Sequence, residues 1–173
     1  MENNVQPKIV TKPGFKVVGI SIISNDLLPR EYINWDYIWH DFRSKLQEIK
    51  HRISDDVTWG VSYCGLRDEN DPYTMIKYPD NIYIAAVEVD SFEDLPELMT
   101  KKEISENLYA VFTCKGKDKN DSMQKIGEIV SYAYFNWLPL SGYTRDKNGM
   151  DLENNDRNLI EVDYYMPIKK TEN

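Results

Sequence analysis

The chain has little of what most metal and redox chemistry needs. Of its 173 residues, two are cysteine and two are histidine. Cys64 and Cys114 stand far apart and form no CxxC pair, and His40 and His51 have no third ligand at a usable spacing. A zinc site or a disulfide framework is therefore not expected, and with no export signal ahead of them the thiols should stay reduced. Long hydrophobic runs are missing too: none approaches the about 18 apolar residues of a membrane span. The opening MENNVQPKIV lacks the basic start and apolar stretch of a secretory signal. Excess positive charge is absent, since the net charge is −8, whereas a phosphate-binding face needs clustered Lys and Arg. Gly116 and Gly127 make no phosphate loop, and no Ser-His-Asp or Cys-His arrangement is present. DKNGMD, Asp146 to Asp151, lacks the oxygen spacing of a calcium loop and reads as a turn around Asn148-Gly149. These absences predict a cytoplasmic protein with no cofactor, no membrane partner and no direct nucleic-acid partner.

What is present is aromatic. Twelve tyrosines and four tryptophans sit in a chain that is 41% hydrophobic and 29% charged, an ordinary globular balance. FKVVGISII, Phe15 to Ile23, is rich in β-branched residues and follows the turn signal Pro13-Gly14, which predicts a strand. In NWDYIWHDFRSKLQEIKHRI, Trp35, Ile38, Trp39, Phe42, Leu46, Ile49 and Ile53 recur at steps of three and four, one helical stripe capped by Asn34. VTWGVSYCG, Val57 to Gly65, alternates as a strand, the polar LRDENDPY reads as a hairpin, and NIYIAAVEVD, Asn81 to Asp90, is a further strand.

The second half repeats this order. NLYAVFTCKG is a strand. DSMQKIGEIVSYAYFNWLP is a helix capped by Asp121 or Ser122 and stopped at Pro139. Ser141 to Glu153 is loosely patterned, and NLIEVDYYMPI, Asn158 to Ile168, is a strong strand. The link SFEDLPELMTKKEISE reads as a crossing loop. The expected fold is α+β: one domain over 1–173 built from duplicated β-α-β-β units, about 8–90 and 105–169, with pseudo-twofold symmetry. An antiparallel sheet would carry helices on one face, each burying its stripe, and leave a central ligand groove.

IWHDFRSKL, WGVSY, YIAAVEV, ISENLYAVFTCKG, WLPLSGY and EVDYYMPI follow in an order and spacing that resembles the GyrI-like small-molecule-binding domain. That module is also the effector-binding domain of AraC-type and MerR-type multidrug regulators. The most specific pieces are Tyr109 to Phe112 with Gly116, Trp137 to Tyr143, and Asp163 four residues before Pro167. The resemblance runs from about Pro7 to Lys169. It implies a central pocket for bulky, often cationic, aromatic ligands. Two departures stand out. About a dozen residues precede the first strand, where many family members carry a helix-turn-helix, so a stand-alone effector-binding domain is expected. Leu152-Glu153 stands where the family has an aromatic-Glu pair.

Glu161 and Asp163, two apart on the last strand, share one face, with Val162 and Tyr164 on the other. An acid facing a cavity must be compensated by a cation or hydrogen bonds, which would make it a recogniser of cationic ligands. The bland alternative is a solvated surface pair. Glu88 is a weaker acidic candidate. Trp59, Tyr63, Tyr83, Tyr109, Phe112, Trp137, Tyr143 and Tyr165 are the aromatic candidates, since Tyr and Trp stack on flat ligands and hold cations over their rings. Strand parity alone does not say which face is the pocket. The expected function is binding of a hydrophobic, cationic small molecule. Two alternatives stand beside it: hydrolysis of a reactive small molecule by a pocket carboxylate, and an inhibitory protein partnership in which an acidic surface mimics nucleic acid.

Overall fold

Alternating apolar residues in β-rich runs form strands, and the three-four stripes between them form helices that need a sheet to lie on. The computed structural model describes residues 5–24, 35–62, 67–68, 71–75 and 81–171. In chain order the strands are β1 (Lys8–Lys12), β2 (Phe15–Ser24), β3 (Val57–Ser62), β4 (Arg67–Asp68), β5 (Asp71–Met75), β6 (Asn81–Val89), β7 (Thr100–Ile104), β8 (Asn107–Cys114), β9 (Tyr143–Arg145), β10 (Asp151–Asp156) and β11 (Val162–Lys170). The α-helices are α1 (Trp35–Lys45), α2 (Lys119–Gln124) and α3 (Ile126–Tyr132). Two compact units result, one continuous, Phe15–Ile104, and one split, Met1–Gly14 with Ser105–Asn173.

In the continuous unit the strand order is β3-β6-β2-β7, antiparallel throughout. Val18 pairs with Val87 and Ile20 with Ala85, and these residues face α1, where Ile38, Trp39, Phe42 and Ile49 complete a buried core. Burying a large aliphatic or aromatic side chain stabilises by about 1.5–3 kcal/mol, so this stripe anchors the helix. Asp36 in the first turn and Arg43 and Lys45 in the last complement the helix dipole. At Gly19 the backbones of β2 and β6 run so close that an added Cβ would collide with the Ala85 carbonyl and the Ala86 Cα.

The split unit repeats the plan as β10-β11-β8-β1, with β9 paired to the C-terminal end of β11. Ala110, Phe112, Tyr164, Met166 and Ile168 are buried beneath the helical segment, together with Ala133. The duplicated α+β plan expected from the sequence is thus what the chain adopts. Its fourth strands are exchanged: β1 lies just ahead of β2 in the chain yet pairs with β8, and β7 lies just ahead of β8 yet pairs with β2.

Five details differ from the sequence reading. The stretch expected to precede the first strand itself holds β1, Lys8–Lys12. The link is not all loop, because Thr100–Ile104 forms β7, and Phe92, Leu95 and Met99 pack on the α1 core. A polar edge strand carries no apolar alternation, so it left no signal. The first helix stops at Lys45 and ends in a 3-10 turn, Leu46–Glu48, so Ile53 falls outside the helix and is 58% exposed. The second helix is capped by Asp118, which accepts from the Asp121 amide at 3.0 Å, and it breaks at Lys125. Finally, the loosely patterned Ser141–Glu153 contains β9 and the start of β10. The expected LRDENDPY hairpin is present as the β4–β5 pair. Asn34, expected as a cap, lies outside the described residues. No helix among the described residues is long and apolar enough to cross a membrane.

Candidate functional site

Strand parity, left open by the sequence, is settled by the cores. On β8, Leu108, Ala110 and Phe112 face the helical segment, so Tyr109, Val111 and Thr113 project from the opposite, helix-free face. Register carries this across the sheet: Asp163 lies beside Thr113, Tyr165 beside Val111, and Leu152 beside Tyr165. Three of the expected residues therefore share this face. The rings of Tyr109 and Tyr165 meet edge to face, centroids 5.8 Å apart. Asp163 accepts a hydrogen bond from the Thr113 hydroxyl at 2.6 Å. Burial, reinforced by Asp151 and Asp146, pushes the Tyr109 hydroxyl up to about 12. Burial and the neighbouring Asp163 raise Tyr165, against a hydrogen bond with Asn154 that lowers it. Both phenols therefore stay neutral, and Tyr165 lies near the Asp163 carboxylate, which keeps open acceptor capacity.

Glu161 is elsewhere. It precedes β11 and pairs with Lys115 at 2.8 Å, and that hydrogen bond holds its carboxyl below the usual carboxylate range. The surface reading fits it better than the pocket reading. Phe112 lies in the core under the helices, edge to face with Trp137 at 5.4 Å. Trp137 and Tyr143 stack on each other, centroids 6.0 Å apart and planes within 18°, on the helix side of the sheet. In the continuous unit Tyr83 packs against the α1 core and accepts a hydrogen bond from the Trp39 indole at 3.2 Å. Trp59 occupies the helix-free face of its own sheet, opposite Ala86 and against Phe15, ring centroids 5.2 Å apart. Glu88, paired with Val17, is on that face as well. Tyr63 lies outside the described residues.

A buried polar network went unforeseen. Arg145 donates to Asp151 at 2.8 Å and to the Tyr134 hydroxyl at 2.7 Å. Asp151 also accepts from Tyr164 at 2.7 Å and Tyr134 at 3.2 Å. Burial disfavours the Arg145 charge, but Asp151 and Tyr134 outweigh it and raise the guanidinium above its ordinary value. With every carboxylate oxygen engaged, the pair meets the condition under which a buried ion pair is tolerated. Its residues come from β9, β10, β11 and the segment Ala133–Trp137, so it ties the helical layer to the sheet. The one sequence signal was an Arg and an Asp flanking the Asn148-Gly149 turn.

Among the described residues, no three His, Cys, Asp or Glu side chains gather where a metal could sit. The helix-free face of the split unit thus carries the half-buried Tyr165 with Tyr109 buried against it, a hydrogen-bonded carboxylate and, among the described residues, no metal-type cluster.

Against known families, residues 8–168 match the model described as an integron-associated effector binding protein. The chain belongs to this family. The transcriptional regulator BrlR of Pseudomonas aeruginosa is 27% identical over 172 residues, 95% of this chain and 56% of that protein. The chain thus spans little more than half the length of this curated relative. Among solved structures, the integron cassette protein VCH_CASS2 of Vibrio cholerae superposes with a TM-score of 0.59 at 15% identity, covering 95% of this chain and 96% of that one. SAV2435, solved bound to tetraphenylphosphonium, gives 0.63 at 15% identity, covering 95% and 94%. The resemblance to GyrI-like domains read from the motifs stands, and this effector-binding protein shares the fold of multidrug-regulator effector domains.

Proposed function

We infer that the chain binds a hydrophobic, cationic small molecule on the helix-free face of the split unit. Tyr165, half-buried and backed by the buried Tyr109, supplies the ring contact and Asp163 supplies the compensating charge. The observation that carries the reading is the grouping of these three side chains on one face, with Asp163 held in place by Thr113. Such a face offers a lipophilic cation both ring quadrupoles and a carboxylate. The bound tetraphenylphosphonium in SAV2435, a protein of the same fold, supports that ligand class. The reading has the chain act as an effector-sensing module, with the ligand rather than DNA as its direct partner.

The test is a titration of wild type and Asp163→Asn with tetraphenylphosphonium and with uncharged triphenylphosphine oxide, followed by tryptophan fluorescence and thermal shift. The substitution should weaken the cation by about tenfold, the equivalent of 1.4 kcal/mol, and leave the neutral analogue nearly unchanged. An equal loss for both ligands would remove Asp163 from charge recognition. No saturable response to the cation would sink the reading.

A further inference from the structure

A groove of about 390 Å³ opens on the opposite side of the split unit, between edge strand β1 and the end of the helical segment. That size lies in the range of small-molecule sites. Ile9 from β1, Asn136, Trp137, Leu140 and Ser141 from the helical end, and Tyr143 from β9 form most of its wall. Ile9 faces the helix side because it pairs with Ala110, which is buried there.

Three observations mark this groove as more than a gap in packing. Its floor is an aromatic platform, the Trp137–Tyr143 stack. The platform is braced from behind, since Phe112 packs edge-on against Trp137 and the Arg145–Asp151–Tyr134 network fixes the elements that carry both rings. The third is local backbone geometry: Ala133–Trp137, which supplies Asn136 and Trp137, is wound as a π-helix. Such one-turn insertions are rare and concentrate at functional sites. The rim leaves apolar surface in solvent, with Leu140 88% and Ile9 40% exposed.

The chemistry of the wall selects the occupant. None of the described residues lining the groove is charged, and its polar side-chain groups are the amides of Gln6 and Asn136, the hydroxyls of Ser141 and the tyrosines, and the indole N–H of Trp137. A cation would lose water here without gaining a counter-charge. An uncharged flat aromatic could stack on the platform and exchange hydrogen bonds with an amide. We propose that this groove is a second ligand site, distinct from the helix-free face, and that it takes an uncharged, flat aromatic molecule carrying a hydrogen-bonding group.

The test uses the full chain labelled with nitrogen-15 at tryptophan and coumarin as the probe, a neutral flat lactone soluble to millimolar concentration. The Trp137 indole resonance is assigned by its loss in Trp137→Phe. Coumarin should shift that resonance saturably. Leu140→Arg, at an exposed position where folding is not at stake, should weaken the probe by about fivefold or more, and a fivefold change corresponds to about 1 kcal/mol. Asp163→Asn should leave coumarin binding unchanged. The proposal is overturned if Trp137 does not move at millimolar coumarin, or if Leu140→Arg leaves the affinity intact. It is equally overturned if Asp163→Asn or tetraphenylphosphonium removes the coumarin response, since one site would then account for both ligands.

Discussion

Tyr109 shows how much one residue's meaning depends on its face. It sits in a run of five apolar or aromatic residues, Leu108 to Phe112, in which alternation is invisible. Tyr109 is itself buried, so only the packing of Leu108, Ala110 and Phe112 against the helical core assigns it to the other side. The same ambiguity hid the division among the other aromatic candidates, because Tyr83 and Phe112 look like Trp59 and Tyr165 until the cores are known. Glu161 and Asp163 share parity, as read, but the strand begins at Val162 and Lys115 reaches only Glu161. A pH consequence follows for Tyr109. Its hydroxyl is raised from 10.0 to about 12 in the folded chain. Between those pH values the unfolded state has released its proton and the folded state has not, so stability falls as pH rises through that window. The full loss for a two-unit shift is about 2.7 kcal/mol. Urea unfolding at pH 9 and above 12 should show this loss in wild type and a smaller one in Tyr109→Phe. An equal loss in both would show that Tyr109 does not titrate on unfolding.

At the scale of elements, periodic segments were legible and register-dependent ones were not. The α1 stripe and the strands β2, β3, β6, β8 and β11 are each signalled by apolar spacing, and each is found, with ends shifted by a few residues. β1, β7, β9 and β10 are short or polar, and pairing with a neighbour creates them rather than their own composition. Gly19 belongs with these, since nothing in FKVVGISII says that its glycine marks a close approach of two backbones. A methyl group there meets main-chain atoms of β6, which cannot rotate away. Gly19→Ala should therefore destabilise the continuous unit by about 1–3 kcal/mol, the usual range for overpacking. A chemical-denaturation midpoint equal to wild type would show that β2 shifts freely. The π-helical turn is equally silent in sequence, although YAYFNW is the densest aromatic cluster in the chain.

For the molecule as a whole, the repeated β-α-β-β order and the family were readable because six motifs fall in sequence between Ile38 and Ile168. The exchange of edge strands was not, since β1 and β7 each neighbour, in the chain, the strand of the unit they do not join. That exchange sets an order of events during synthesis. Every strand of the continuous unit has emerged once Ile104 clears the ribosome, whereas β1 must wait about a hundred residues for β8. Contacts so distant in sequence close slowly, and an unpaired strand is an invitation to wrong partners. Nascent chains stalled with Ile104 outside the ribosome and β8 still within the exit tunnel should resist protease over Phe15–Ile104 while Lys8–Lys12 remains cleavable. Protection of those residues at that length would mean that β1 finds another partner first. The strand β1 is thus made early and placed late.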